Sequence, residues 1–350
     1  MQLVNQTAVP CKVQVSPLDG TPHRFGFLTA KATFFTNDAG LVELDTQRPY
    51  PLFEKDVDSE LGLLPADIVP RRDHAFEVIV LGSAHGRGRV AQMIEVAIGD
   101  WRRQLLVTGD RHWVRSGNQT VISPPARYEV LPLTWERAFG GAAPCWLDSE
   151  SVMDLEHPMN KYGRGFDAEK LARDLGQAFK APAGFPRLPP DHRRALPNLE
   201  DPAAPIRRWE DEPRPYCWAT MPADIGARVQ RAYDHMRDTR GGLTEQQMLD
   251  MVFHRAHPDC VIATPPAGAP VTLKGMTPEG TWSFSLPPLR VLADYDLGIR
   301  TGTRELEPHM LVLLAAEKRF YIVYRHFFTL GRDAARQRSF RIRVDERGQR

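Results

Sequence analysis

The sequence predicts a β-rich α+β fold: antiparallel sheets, sandwich- or barrel-like, at both ends of the chain, with a helical and proline-rich extended middle. Three observations lead there. Short apolar runs closed by glycine or another turn residue follow one another through residues 1–131, at the spacing of an antiparallel meander. Comparable runs return after residue 259. Between them, nine prolines in the 36 residues from Ala181 to Tyr216 preclude a regular helix or a central strand.

The N-terminal β region is placed at residues 1–141. "HRFGFLTAKATFFTN" mixes aromatic and β-branched residues before a turn around Asn37–Gly40, and "LVELD" is its hairpin partner. "FEVIVLG", "QMIEVAIGD", "RRQLLVTGD" and "HWVRSG" continue the meander. The glycine-rich "GSAHGRGR" at 82–89 leads into a further strand, whereas a phosphate cradle needs a helix N-terminus. It is expected to be a hairpin loop.

Residues 142–221 hold a short helical candidate, "DAEKLARDLGQAFK", and then the proline-rich run. Phe185, Leu188, Leu196, Leu199, Ile206 and Trp209 recur through that run more densely than a disordered linker allows. An ordered, extended segment packed on the sheets is expected. Residues 222–258 are expected to be helical: Ile225, Val229, Ala232, Tyr233 and Met236 fall at helical spacing, and Thr244 with Gln247 forms a capping-box pattern. The C-terminal β region at 259–330 reads "PVTLKGM", "TWSFSLPPLRVLADYD", "MLVLLAAE" and "RFYIVYRHFF", with turns at "TPEG" and "AAEKRF". The arginine-rich tail, 331–350, is expected to fray unless "SFRIRV" adds a strand.

Composition narrows the function. In 350 residues the net charge is +1, so no overall field draws the chain to nucleic acid or an anionic membrane. No apolar run is long enough for a membrane span, and the N-terminus lacks the pattern of a secretory signal. A cytoplasmic location is the expectation. Cys11, Cys145, Cys217 and Cys260 are far apart and form no CxxC pair, which argues against a zinc knuckle or a disulfide framework.

No nucleophile elbow, Walker loop, H-E-x-x-H helix or Rossmann fingerprint occurs. In "FHRAHPDC", His254, His257 and Cys260 are spaced three apart, and three such ligands with a water would make an open zinc site. A metal-dependent hydrolase using them is the alternative to a non-enzymatic role. Against it, Pro258 ends any helix carrying His254, and no fourth ligand lies nearby.

"PLTWERAFGG" at 132–141 is the most signature-like stretch. A strand running into Gly140–Gly141 implies a tight turn or positive φ. Glu136 and Arg137 would point to opposite faces, so one charge would need an interior partner. "NKYGRGF" adds Arg164 between two glycines, and "LPNLEDP" adds Asn198 and Glu200. Glu136 or Glu200 is expected to pair with Arg137 or Arg164, tying the coil to the sheet, so that Arg164→Ala loses the ordered middle.

Taken in order, "GDRHWVRSG…ISPPARYEVLPLTWERAFGG", "NKYGRGF" and "LPNLEDPAAPI" resemble a bacterial domain-of-unknown-function family, DUF2169, encoded beside type VI secretion effectors. The similarity continues through "VTLKGMTPEGTWSFSLP". The resemblance implies an adaptor or chaperone that binds an effector, often one with a PAAR-type tip domain, and helps load it onto the VgrG-type spike. It implies no enzyme activity and no cofactor. The motif residues carried over are Trp135, Glu136, Arg137, Phe139, Gly140, Gly141, Asn160, Gly163, Arg164, Gly165, Phe166, Pro197, Asn198 and Glu200, all expected to be structural. "YCWATMPADIGARVQRAYDH" and "FHRAHPDCVIATPP" depart from the family pattern and are where client specificity would lie. For a partner surface the aromatic excess in "RFYIVYRHFF" offers Phe320, Tyr321, Tyr324, Phe327 and Phe328; the competing expectation is a core strand covered on both faces. A structural component of the secretion particle is a further alternative.

Overall fold

A computed structural model describes residues 2–17, 24–37, 39–69, 74–146, 152–167, 193–222, 253–297, 300–330 and 339–345. The β-rich, antiparallel expectation fits it: among the described residues strands make up 54% and no helix reaches seven residues. The α+β expectation, with its helical middle, is thereby corrected. Among the described residues the helical turns are 3-10 turns at Trp135–Arg137, Pro258–Cys260 and Ala315–Glu317. The two helical candidates, near 167–180 and 223–252, lie outside the described residues almost entirely. Where the second stretch returns, at 253–258, the buried carboxylate of Glu77 accepts the amides of both Arg255 and Ala256. Amides captured by a side chain are not available for an i→i−4 ladder. No helix among the described residues is long and apolar enough to cross a membrane.

The largest sheet has its main strands in the order Cys11–Pro17, Arg24–Thr36, Arg319–Leu330, Glu307–Leu314, Phe76–Leu81 and Val261–Ile262, with Val42–Leu44 paired to Arg24–Thr36. Only Glu307–Leu314 and Phe76–Leu81 run parallel within it. A second sheet places Leu199–Glu200, Trp101–Thr108, Ala91–Ile98, Pro270–Lys274 and Thr281–Ser285 side by side, all antiparallel. A third holds Gln2–Asn5, Ser339–Asp345, Arg290–Asp296 and Thr301–Glu305. Each of these sheets mixes strands from both ends of the chain, so the N- and C-terminal β regions interleave. The tail phrase "SFRIRV" takes the strand option.

Local chemistry explains several junctions. Asn37 Oδ1 accepts the amides of Ala39 and Leu41 and turns the chain from Arg24–Thr36 into Val42–Leu44. The "AAEKRF" turn ends on Lys318 in the left-handed region, at φ 50°. "GSAHGRGR" is not a loop: Ser83–Arg89 is a strand paired with Tyr128–Pro132, and the bend falls on Arg87 and Gly88, both at positive φ. Its alternating burial, rather than its glycine content, decided the conformation.

The core lies between the two large sheets. Phe34 stacks on Phe320 at 5.1 Å, Phe320 on Phe284 at 4.5 Å, and Phe284 meets Trp282 at 4.7 Å. The Trp282 indole donates to Thr36 Oγ1 across the layers. Phe320, Tyr321, Tyr324 and Phe328 are all buried, and Phe327 is half-buried against Phe25 and Phe27. The partner surface expected at these five aromatics is corrected. Arg319–Leu330 is a central strand with a neighbour on each edge, and its unbroken burial from Phe320 to Arg325 shows that both faces are covered there.

Candidate functional site

The three motif phrases meet at one corner, next to the end of strand Trp101–Thr108. The strand "YEVLP" stops at Pro132, earlier than expected, and a 3-10 turn follows at Trp135–Arg137. Glu136 and Arg137 therefore leave a turn rather than opposite faces of a strand. Trp135 is buried, and its indole N–H donates to the Ala219 carbonyl at 3.1 Å. An indole donor needs such an acceptor once it leaves water.

Phe139–Gly140 pairs in parallel with Arg164–Gly165. The ladder includes Arg164 N–H to Ala138 O at 3.0 Å and Phe166 N–H to Gly140 O at 3.1 Å. Gly140 and Gly141 have φ values of 134° and 105°, conformations that L side chains rarely adopt. A Cβ on Gly163 would stand 2.6 Å from Ala138 O and 2.7 Å from Phe139 O, so the motif glycines also permit two backbones to touch.

Two fully buried asparagines fasten the corner. Asn160 Nδ2 donates to the carbonyls of Trp135 and Phe139, both at 2.9 Å, while its own carbonyl accepts Gly141 N–H at 2.8 Å. Asn198 Nδ2 donates to Thr108 O at 2.9 Å and Asp110 Oδ1 at 3.0 Å, and its Oδ1 accepts from Arg137 Nη1 at 3.1 Å. Its backbone N–H reaches Arg137 O, and its carbonyl accepts Thr108 N–H, both at 2.8 Å. Every polar group of Asn198 is thus used to join "GDR", "WERA" and "PNLE". Pro197 lies against Gly165, where a Cβ would meet its Cδ at 3.0 Å.

The charges pair differently from expectation. Glu200 is buried, its Oε2 binds Arg111 Nη2, and its Oε1 accepts Ile206 N–H at 2.8 Å. Burial pushes its pKa up while Arg111 and the Ile206 amide oppose that rise. Arg137 and Arg164 instead share Asp110 Oδ1, at 3.8 and 3.9 Å. Arg164 Nε donates to the backbone carbonyl of Glu136 at 2.9 Å, not to its carboxylate. Asp110 and Arg111 are the residues that sequence reasoning missed, although they stand inside the quoted "GDRHWVRSG". Phe139 and Phe166 meet the ring of His157 edge-on at 5.3 and 5.2 Å. Burial depresses the His157 pKa to about 4, and its Nδ1 accepts the amides of Met159 and Asn160.

His254, His257 and Cys260 lead into Val261–Ile262, the strand paired with Phe76–Leu81, and His257 borders the corner at Trp135. His257 Nδ1 accepts Asp259 N–H at 3.2 Å, and the ring bonds the Pro215 backbone on its other side. The ring sits 4.9 Å from Tyr216 and 6.3 Å from Trp135. Both ring nitrogens are committed, which leaves no lone pair for a metal. Cys260 is completely buried, and burial pushes its thiol pKa far up. Among the described residues no group of three His, Cys, Asp or Glu side chains is placed to hold a metal ion.

What the corner does chemically is bind backbone to backbone. Asp110, Glu200 and the guanidinium groups are spent on one another and on backbone groups, Glu136 is exposed, and His157 is enclosed by aromatic rings. A family model described as an uncharacterized protein conserved in bacteria, DUF2169, matches residues 23–325. No curated protein and no solved structure matches the chain.

Proposed function

The chain belongs to the DUF2169 family of uncharacterized bacterial proteins, and from that premise we propose that it is a cytoplasmic adaptor for a type VI secretion effector. It binds the effector, one carrying a PAAR-type tip domain, and helps load it onto the VgrG-type spike. The role is recognition, without a cofactor and without a reaction of its own. One observation supports this reading above the others: the motif phrases are consumed in internal fastening at a buried corner. A family signature invested in holding a scaffold suits a protein whose work is done by surfaces.

The test is a gentle-salt pull-down of the tagged full chain from its native host. Recovery of an effector with a PAAR-type domain, or of a VgrG-type spike protein, is the expected result. Recovery of neither overturns the adaptor reading. The same tagged chain should stay out of the secreted fraction; its appearance there would favour a component of the particle.

A further inference from the structure

Outside the motif corner, Lys31 and Asp67 form an ion pair whose side chains are both completely buried. Lys31 is in the middle of strand Arg24–Thr36, and Asp67 is in the segment ahead of strand Phe76–Leu81. Lys31 Nζ lies 2.6 Å from Asp67 Oδ2. Among the described residues its other hydrogen-bond partner is the Pro51 carbonyl, at 2.8 Å. The rings of Phe53 and Tyr321 flank the nitrogen at 4.0 and 4.3 Å. Asp67 Oδ2 also accepts Phe53 N–H at 2.5 Å, while Asp67 Oδ1, also buried, has no hydrogen-bond partner among the described residues. The hydroxyl of Tyr321 is buried without a partner as well.

As an ion pair this arrangement is incomplete. An ammonium has three N–H donors and a carboxylate about four acceptor sites, and a buried charge is stable only when these are satisfied. The same atoms match an amide. One N–H would donate to Pro51 O, and one carbonyl oxygen, Oδ2, would accept the Phe53 amide. The unpartnered oxygen, Oδ1, is then the one that the bond does not need.

We propose that Lys31 and Asp67 condense into an intramolecular isopeptide bond, a covalent staple between the central sheet and the segment covering it. The step balances without a co-reactant. A proton passes from the Lys31 ammonium to Asp67, giving an amine and a carboxylic acid. The Nζ lone pair attacks Asp67 Cγ, the C–N bond forms, and the Cγ–Oδ1 bond breaks. Oδ1 leaves as water, carrying the carboxyl proton and one further proton from nitrogen. Nothing is oxidised or reduced. Burial supports the first transfer: it lowers the Lys31 pKa to about 8 and raises that of Asp67 to about 6, each partner opposing the other's shift.

Intact-mass spectrometry of the denatured full chain decides the question, after allowing for removal of Met1. The expected mass is lighter than the sequence by one water. Protease digestion should then yield a branched peptide joining the Lys31 and Asp67 segments. Lys31→Arg and Asp67→Ala should both restore the full sequence mass. The wild-type measurement stands by itself should either variant fail to fold. A wild-type chain at full sequence mass, or a water loss mapped to other residues, overturns the proposal.

Discussion

Asn160 and Asn198 carry no charge, yet they hold the motif corner more tightly than its arginines do. Asparagine offers two donors and an acceptor on one short, rigid side chain, so it can satisfy three backbone strands at once. The arginines divide by burial. Arg111 faces Glu200, which cannot reach water, whereas Arg164 is partly exposed and its closest bond is to a backbone carbonyl. We expect Arg111→Ala to cost about 3–5 kcal/mol by stranding a buried carboxylate. Arg164→Ala should cost only about 1 kcal/mol. This replaces the sequence-based expectation that Arg164→Ala loses the ordered middle. Urea denaturation of the two variants checks the ranking, and equal losses would refute it. His257 adds a pH effect. Burial holds its pKa at about 4 against an ordinary 6.5, with Arg103 adding to the shift and Asp259 and Asp201 opposing it. As pH falls below 6.5 the unfolded chain takes up a proton that the folded ring refuses, so stability falls across that window and levels off near 4. His157 acts in the same direction. The melting temperature should therefore drop on acidification from neutrality to about pH 5, and less so in His257→Gln. An unchanged slope in that variant would remove His257 from the account.

At the scale of elements, the corner is a parallel ladder between Phe139–Gly140 and Arg164–Gly165, closed by glycines. Paired glycines in "FGG" and "GRG" announce tight backbone in the sequence, because no other residue permits these approaches. The parallel pairing and the 3-10 turn before it are not announced, since both depend on which distant carbonyls receive the amides. Gly163→Ala should push apart Ala138 and Phe139 from the GRGF strand and destabilise the protein by about 1–3 kcal/mol. Gly268→Ala, where no heavy atom stands within 4 Å of the added carbon, measures the cost of positive φ without a clash. Gly163 itself has no positive φ, so its loss reads the clash alone, and a Gly163→Ala protein as stable as the wild type would remove close approach as the reason. The fate of "GSAHGRGR" belongs at this scale too. Glycines mark it as a break, yet cross-strand pairing with Tyr128–Pro132 makes it a strand.

At the scale of the whole molecule, the sheets bind the two ends of the chain to each other. Strand Arg24–Thr36 lies beside Arg319–Leu330, and Ala91–Ile98 beside Pro270–Lys274. A fragment of residues 1–258 would expose the face that Phe320 and Phe284 cover, and it should show no cooperative unfolding transition on heating. A sharp transition in that fragment would mean that the N-terminal strands fold alone. The sequence by itself determined the strand-rich character, most of the turns, the proline-rich segment's buried Leu196, Leu199 and Ile206, and the motif phrases that mark the family. These follow from side-chain period, turn chemistry and backbone permissiveness, which act between near neighbours. Only the tertiary structure decided that the N- and C-terminal strands share sheets, that Glu200 answers Arg111, and that the aromatic strand Arg319–Leu330 is core. Each of those depends on what covers a face or reaches a charge from a remote part of the chain, and burial sets the energy of both.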